Sequence, residues 1–374
     1  MMSQAAVLER PQTITIAEYR KSVPDGSMLL KVGGAGVCGT DTHNFNRQIP
    51  NGPYPYIMGH EVSGTIEAIG RSCGVNSYER LEVGDRVAVT PMIGCGECYY
   101  CKKFPHIVNY CQNRRAIGTF YTAKNPPHLY GGFAESIIIP PGFWVHKLPD
   151  SVPLDIGALV EPMAVAIHAL ARIAGTGAPY GQMNVGIGTS IVVQGSGPIG
   201  LLVAICAKFS GARVTVLDKV QERLELAKEL GINETLNVSG MDDDTLIARI
   251  KGLHDGGGPD AVIEATGELD AVQVGVMLPR RGGKYIELGH AVDGGEIRIR
   301  PDYICRNYLE IIGSVLAPAH EYPKALHILS NADIPFRKMI TGKFRLEDTE
   351  KAILNATARR GMKSMVLPNG DCDI

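Results

Sequence analysis

The chain has 374 residues, long for a single domain and ample for two, with 45% hydrophobic and 20% charged residues. A formal net charge of −2 gives no basic footprint for nucleic acid and no acidic block typical of a disordered tail. The N-terminal MMSQAAVLERPQ lacks a basic segment followed by an apolar one, and the apolar runs read as too short and interrupted to span a bilayer. A cytoplasmic protein with no membrane partner is the default expectation.

In chain order, the first 150 residues read as β-rich and turn-rich. MLLKVGGAGVCG, HEVSGTIEAIG and EVGDRVAVTP cluster β-branched residues between Gly, Pro and Asp. Within them, GVCGTDTH and MGHEVSG place Cys38, His60 and Glu61, a thiolate, an imidazole and a carboxylate that are all competent zinc ligands. CGECYYCKKFPHIVNYC then sets Cys95, Cys98 and Cys101 at intervals of three residues, with Cys111 ten further on. Nine cysteines in a reducing compartment, an odd number, argue for free thiols, metal ligands or catalysis rather than disulfides. The segment 119–132, TFYTAKNPPHLYGG, is read as a lid or pocket wall.

Residues 155–175 show apolar positions at helical spacing, predicting a helix that bridges two domains, with Glu161 as a second carboxylate near its start. From about residue 189 strands and helices alternate. TSIVVQGSG, ARVTVLD, PDAVIEATG, GGKYIELG and YLEIIGS read as buried strands. PIGLLVAICAKFSG and KVQERLELAKELG read as helices, the first closed by Gly211. Such alternation predicts an α/β fold with a doubly wound parallel sheet. QGSGPIG supplies Gly195, Gly197 and Gly200 in the G-x-G-x-x-G spacing, at a strand-to-helix turn where backbone N–H groups approach a pyrophosphate. Pro198 and Ile199 inside this loop, and Leu288 and Gly289 after the GGKYIE strand, are grouped with it as cofactor-binding. Asp218, ending the next strand, suits the adenosine ribose hydroxyls and repels a 2′-phosphate, which favours NAD. The last 55 or so residues read as mixed helix and strand returning to the first domain.

These motifs carry a resemblance to the zinc-dependent medium-chain dehydrogenase/reductase superfamily, the alcohol dehydrogenase superfamily, over essentially the whole chain. Gly59, His60, Glu61, Gly64 and Gly70 match its G-H-E-x-x-G zinc signature and the later Gly. CGTDTH resembles its C-G-[ST]-D-x-x-H element, and Glu161-Pro162 resembles the sorbitol and threonine dehydrogenase branch. The resemblance implies a GroES-like catalytic domain over 1–160, a Rossmann domain over 161–316 and a returning segment over 317–374. It also implies two zinc ions per subunit. One is catalytic, among Cys38, His60, Glu61 and Glu161; the other is structural, on Cys95, Cys98, Cys101 and Cys111. The family's usual fourth thiol position falls on Asn109, so a two-residue insertion is read here, with His106 as a less favoured substitute ligand. Thr40 and His43 take the family's proton-relay positions, with Glu61 grouped beside them as catalytic. Arg223 resembles a position that packs on the adenine side.

The implied reaction is reversible oxidation of a small-molecule alcohol, read as secondary, with hydride transfer to NAD in a homodimer or homotetramer. The polyol-binding Tyr and Arg-Tyr of sorbitol-type enzymes are not matched, since Asn44, Leu316 and Ala317 stand in those stretches. A polyol or amino-alcohol dehydrogenase is the alternative, and a non-catalytic NAD-binding protein the more distant one.

Overall fold

The computed structural model describes residues 1–48, 52–174, 184–255, 257–290 and 292–370. It divides into two compact units: residues 1–161, 318–331 and 336–374 form the first, and 162–317 with 332–335 the second.

The first unit is built on a seven-stranded sheet. Its central strand, Met28–Gly36, pairs antiparallel with Glu61–Ile69, with Ser136–Ile139 and with Lys363–Val366. The Met28–Gly36/Glu61–Ile69 pairing has two register shifts, at Leu29/Leu30 and at Val32/Gly34, the second at its glycines, and such irregularities bend a ladder. A three-stranded sheet of Thr13–Arg20, Met2–Arg10 and Tyr56–Ile57 packs with it around one apolar core that includes Leu8, Leu30, Tyr56, Ile66, Phe133 and Phe143. The C-terminal strand Lys363–Val366 runs parallel to Ile340–Phe344, so the last part of the chain completes a sheet begun by the first.

In the second unit the six strands are all parallel. They lie in the order Glu234–Asn237, Arg213–Asp218, Ser190–Gln194, Ala261–Glu264, Lys284–Glu287, Glu310–Gly313. Numbered within the unit this is 3-2-1-4-5-6, the doubly wound dinucleotide-binding order. The inner strands are continuous buried runs, as a sheet covered on both faces requires. Helix Pro198–Phe209 opens with Pro at its first turn and ends before Gly211, whose φ of +94° closes it in the left-handed region. Glu234–Asn237 and the helix Asp243–Leu253 carry no strong sequence pattern. The former is a short, mostly half-buried edge strand of ETLN.

The helix predicted over 155–175 forms as Leu154–Gly157 and Val160–Ile173; residue 175 lies outside the described residues. Contrary to the sequence expectation, Leu154–Ala171 is long and apolar enough to cross a membrane by length and composition. Most of it is buried inside the protein, which is the character of a core helix.

Candidate active site and metal centres

Cys38 precedes the short helix Gly39–Phe45, and its N–H donates to Asp41 Oδ2 at 2.9 Å. Asp41 is fully buried and also accepts the N–H of Gly59 at 3.4 Å, so one carboxylate ties the two zinc-signature segments together. His60, 9% exposed, follows that turn; its buried Nδ1 lacks a hydrogen bond and stands 3.7 Å from Asp41 Oδ1. Burial opposes protonation of His60, but Asp41 and Cys38 outweigh it and hold the imidazole pKa well above its usual value. Glu161, buried in the first turn of its helix, is pushed up to about 7 by burial, with His60 lowering and Glu61 raising it. Half-buried Cys38 with buried His60, Glu61 and Glu161 thus offers a thiol, an imidazole and carboxylates, a donor set whose chemistry fits zinc.

Glu61 is placed differently from a free ligand. Lys363, on the C-terminal strand, sets its ammonium 2.6 Å from Glu61 Oε1 and 2.5 Å from Oε2, and donates to the carbonyl of Val37 at 3.1 Å. Gly36, the register partner of Glu61, makes room: a Cβ there would lie 2.0 Å from Glu61 Oε2. With Glu61 held by Lys363, no three ligand atoms of Cys38, His60, Glu61 and Glu161 lie within 4.8 Å of one another. Thr40 Oγ1 is 3.8 Å from Cys38 Sγ. His43, one helical turn on, shares the face of Thr40 and pairs through Nδ1 with Gln48 Oε1.

The second thiol group is tighter. The sulfurs of Cys95, Cys98, Cys101 and Cys111 all lie within 4.8 Å of one another. Cys95–Cys101 and Cys98–Cys111 are each separated by 4.0 Å, against about 3.8 Å for the edge of a tetrahedron with ~2.3 Å Zn–S bonds. Backbone N–H groups of Cys101 and Gln112 bring the Cys98 thiol down to about 6, while burial pushes Cys101 up to about 12. The turn Val108–Tyr110 takes up the two extra residues, delivering Cys111 rather than Asn109 to the cluster; His106 is exposed and outside it.

The segment 119–132 is anchored rather than free-standing. The Ala123 N–H donates to the Pro55 carbonyl at 2.7 Å, Ile138 donates to Leu129 at 2.7 Å, and Leu129 is fully buried.

In the parallel-sheet unit, Gly195 has a φ of +97°, and a Cβ on Gly200 would meet the Gly195 carbonyl oxygen at 2.0 Å. Gly197 differs: it precedes the helix with nothing within 4 Å of its Cβ position, an open approach to the N–H groups of Pro198–Phe209. Ile199 lies in that first turn. Asp218 Oδ2 accepts the N–H and hydroxyl of Ser196, both at 2.7 Å, and Oδ1 accepts Val220 N–H at 2.9 Å. Arg223 sits half-buried in the following helix Gln221–Glu229. Leu288 and Gly289 follow strand Lys284–Glu287 at the C-terminal edge of the sheet, where doubly wound folds bind ligands. The residues present fit a dinucleotide.

Two residues escaped the sequence reading. Asp41 was visible inside CGTDTH as the acid of that motif. Lys363 carries no local signal, because its role depends on a strand pairing across most of the chain.

Residues 24–150 match the alcohol dehydrogenase GroES-like domain, and residues 198–331 match the zinc-binding dehydrogenase family. The chain belongs to the zinc-dependent medium-chain alcohol dehydrogenases, in their sorbitol dehydrogenase-like branch, and is an oxidoreductase acting on alcohols. It is 32% identical to sorbitol dehydrogenase of Bacillus subtilis (strain 168), over 98% of this chain and 97% of that protein. An alcohol dehydrogenase structure from Thermotoga maritima superposes with a TM-score of 0.90 at 30% identity, covering 99% of this chain and 100% of that one. A zinc-binding dehydrogenase of Sinorhizobium meliloti 1021, bound to NADP, gives 0.85 at 29% identity over 98% and 100%.

Proposed function

We propose that the protein is an NAD-dependent dehydrogenase with two zinc ions per subunit, interconverting a secondary alcohol and its ketone. The observation that carries this reading is the gathering of half-buried Cys38 with buried His60 and Glu161 beside the ion-paired Glu61. When bound, zinc supplies a Lewis acid that lowers the pKa of an alcohol, and NAD supplies the hydride acceptor. Cys38, His60 and Glu161 would hold that zinc, with Asp41 fixing the Cys38 and Gly59 backbone that presents them. Burial of His60 and Glu161 limits the access of water to the ligand set. The Thr40 hydroxyl would receive the alcohol's proton, and His43, on the same helix face, would pass it to solvent.

The four thiols of 95–111 would hold the second zinc and brace their loop. Asp218 supports NAD over NADP, although the Sinorhizobium protein carries NADP. Sorbitol oxidation by the Bacillus relative makes a polyol the second reading of the substrate. A cytoplasmic setting and a homodimer or homotetramer belong to the same proposal. The test is a panel of secondary alcohols, polyols and amino alcohols assayed with NAD and NADP on zinc-loaded protein. Absence of turnover on every class with both cofactors would overturn the reading.

A further inference from the structure

Outside the thiol lobe, one other set of ligating side chains converges this closely among the described residues. The ligand atoms of Glu264, Glu287 and His290 all lie within 4.8 Å of one another, inside the parallel-sheet unit. Glu264 and Glu287 end neighbouring parallel strands as register partners, so their side chains leave the sheet on the same side. Like charges at such positions repel, and Glu264 is fully buried. Burial, with the Glu287 charge adding to it, pushes the Glu264 carboxyl upward against its hydrogen bonds from Thr266 and Gly267. A buried Glu264 carboxylate beside the half-buried Glu287 is an arrangement that a shared cation would stabilise.

Each carboxylate has one oxygen tied down and the other turned toward the imidazole. Glu264 Oε1 accepts the Thr266 N–H at 2.6 Å, the Thr266 hydroxyl, and the Gly267 N–H at 3.1 Å. Glu264 Oε2 keeps only a 3.4 Å contact from Gly267 N–H and stands 3.9 Å from His290 Nδ1. Glu287 Oε2 accepts the hydroxyl of the buried Tyr285 at 3.3 Å, while its Oε1 is 3.0 Å from the same Nδ1. Gly289 keeps the inner oxygen clear, since a Cβ there would lie 2.1 Å from Glu264 Oε2. Beside the cluster, a cavity of about 250 Å³ is lined by Glu287, His290, Asp293, Leu269, Val272 and Ile297.

We propose that Glu264, Glu287 and His290 form a binding site for a divalent first-row transition cation of the zinc or manganese type. One imidazole nitrogen and two carboxylate oxygens are a ligand set for such ions, and the tied outer oxygens are the orienting bonds they use. The adjacent cavity leaves room for water or a small ligand to complete the coordination. This set is distinct from the thiol lobe and from the Cys38 region, both of which belong to the other unit.

The experiment counts metal. Full-length wild-type protein, Glu287→Gln and His290→Gln are loaded with Zn²⁺, freed of excess, and assayed for metal per chain. Each variant should retain one equivalent less than wild type. Equal content in all three overturns the site. A second readout uses the wild type alone, so it stands even where a variant fails to fold. In Zn²⁺-saturated protein with ¹⁵N-labelled imidazoles, a metal-shifted His290 Nδ1 supports the site. A His290 protonated on both nitrogens at pH 7, a simple imidazolium between two carboxylates, overturns it. Failure of the proposed catalytic site would lower the count in all three proteins alike and leave the difference intact.

Discussion

Both oxygens of Asp218 hold backbone in place, one through Ser196 and the other at Val220 N–H. The carboxylate therefore stands at the rim of the Gly-rich loop in a fixed orientation, with lone pairs left for ribose hydroxyls. A 2′-phosphate brought there meets like charge and loses those bonds, a penalty of roughly a few kcal/mol. NAD should outperform NADP by about two orders of magnitude in kcat/KM, at tenfold per ~1.4 kcal/mol. Asp218→Ser should narrow that gap, chiefly by raising KM for NAD; an unaltered ratio would take Asp218 away from the ribose. His146 supplies a second test at this scale. It is buried, pairs with Thr90 Oγ1 at 2.8 Å and stacks on Tyr322 at 4.9 Å. Burial brings its pKa from 6.5 down to about 4. The unfolded chain then takes the proton first as pH falls. The stability held by neutral His146 is complete above about pH 6.5 and is lost toward pH 4, up to about 3 kcal/mol. Urea midpoints of wild type should drop across that window, and His146→Gln should flatten the drop.

Elements were unevenly legible in the sequence. The strand–helix alternation after residue 189 could be read because strands such as SIVVQ and RVTVLD are rich in β-branched residues and the helix Pro198–Phe209 is closed by Gly211. Glu234–Asn237 was not legible, since a four-residue half-buried edge strand has no apolar period to show. Short-range sites fared likewise: three thiols at fixed intervals announce a shared purpose. Pairings such as Glu61–Lys363 or Glu264–Glu287 depend on strand register that no local pattern encodes. The thiol loop offers the test at this scale. Cys111→Ser should remove one zinc per chain and expose Cys95, Cys98 and Cys101 to thiol reagents, whereas Asn109→Ala should do neither. The opposite pattern would mean that the turn Val108–Tyr110 delivers Asn109 and not Cys111.

At the scale of the whole molecule, the proposed ligands of the catalytic zinc and the dinucleotide loop fall in different compact units. His60→Ala should therefore abolish turnover while NADH affinity, read by fluorescence, stays within about twofold; a parallel loss of both would mean that the units do not act separately. The order of the chain has its own consequence. The parallel-sheet unit is nearly one contiguous run of sequence, but the sheet of the first unit waits for Lys363–Val366 to pair with Met28–Gly36. During synthesis the N-terminal half thus leaves the ribosome with an open strand edge and with Glu61 lacking its ammonium partner, while the later-made unit already holds all its strands. Nascent chains stalled just before residue 363 should show a protease-resistant parallel-sheet unit beside a cleavable N-terminal one. In this protein the part made first is the part finished last, and residues 363–366 must be made before the proposed catalytic pocket exists.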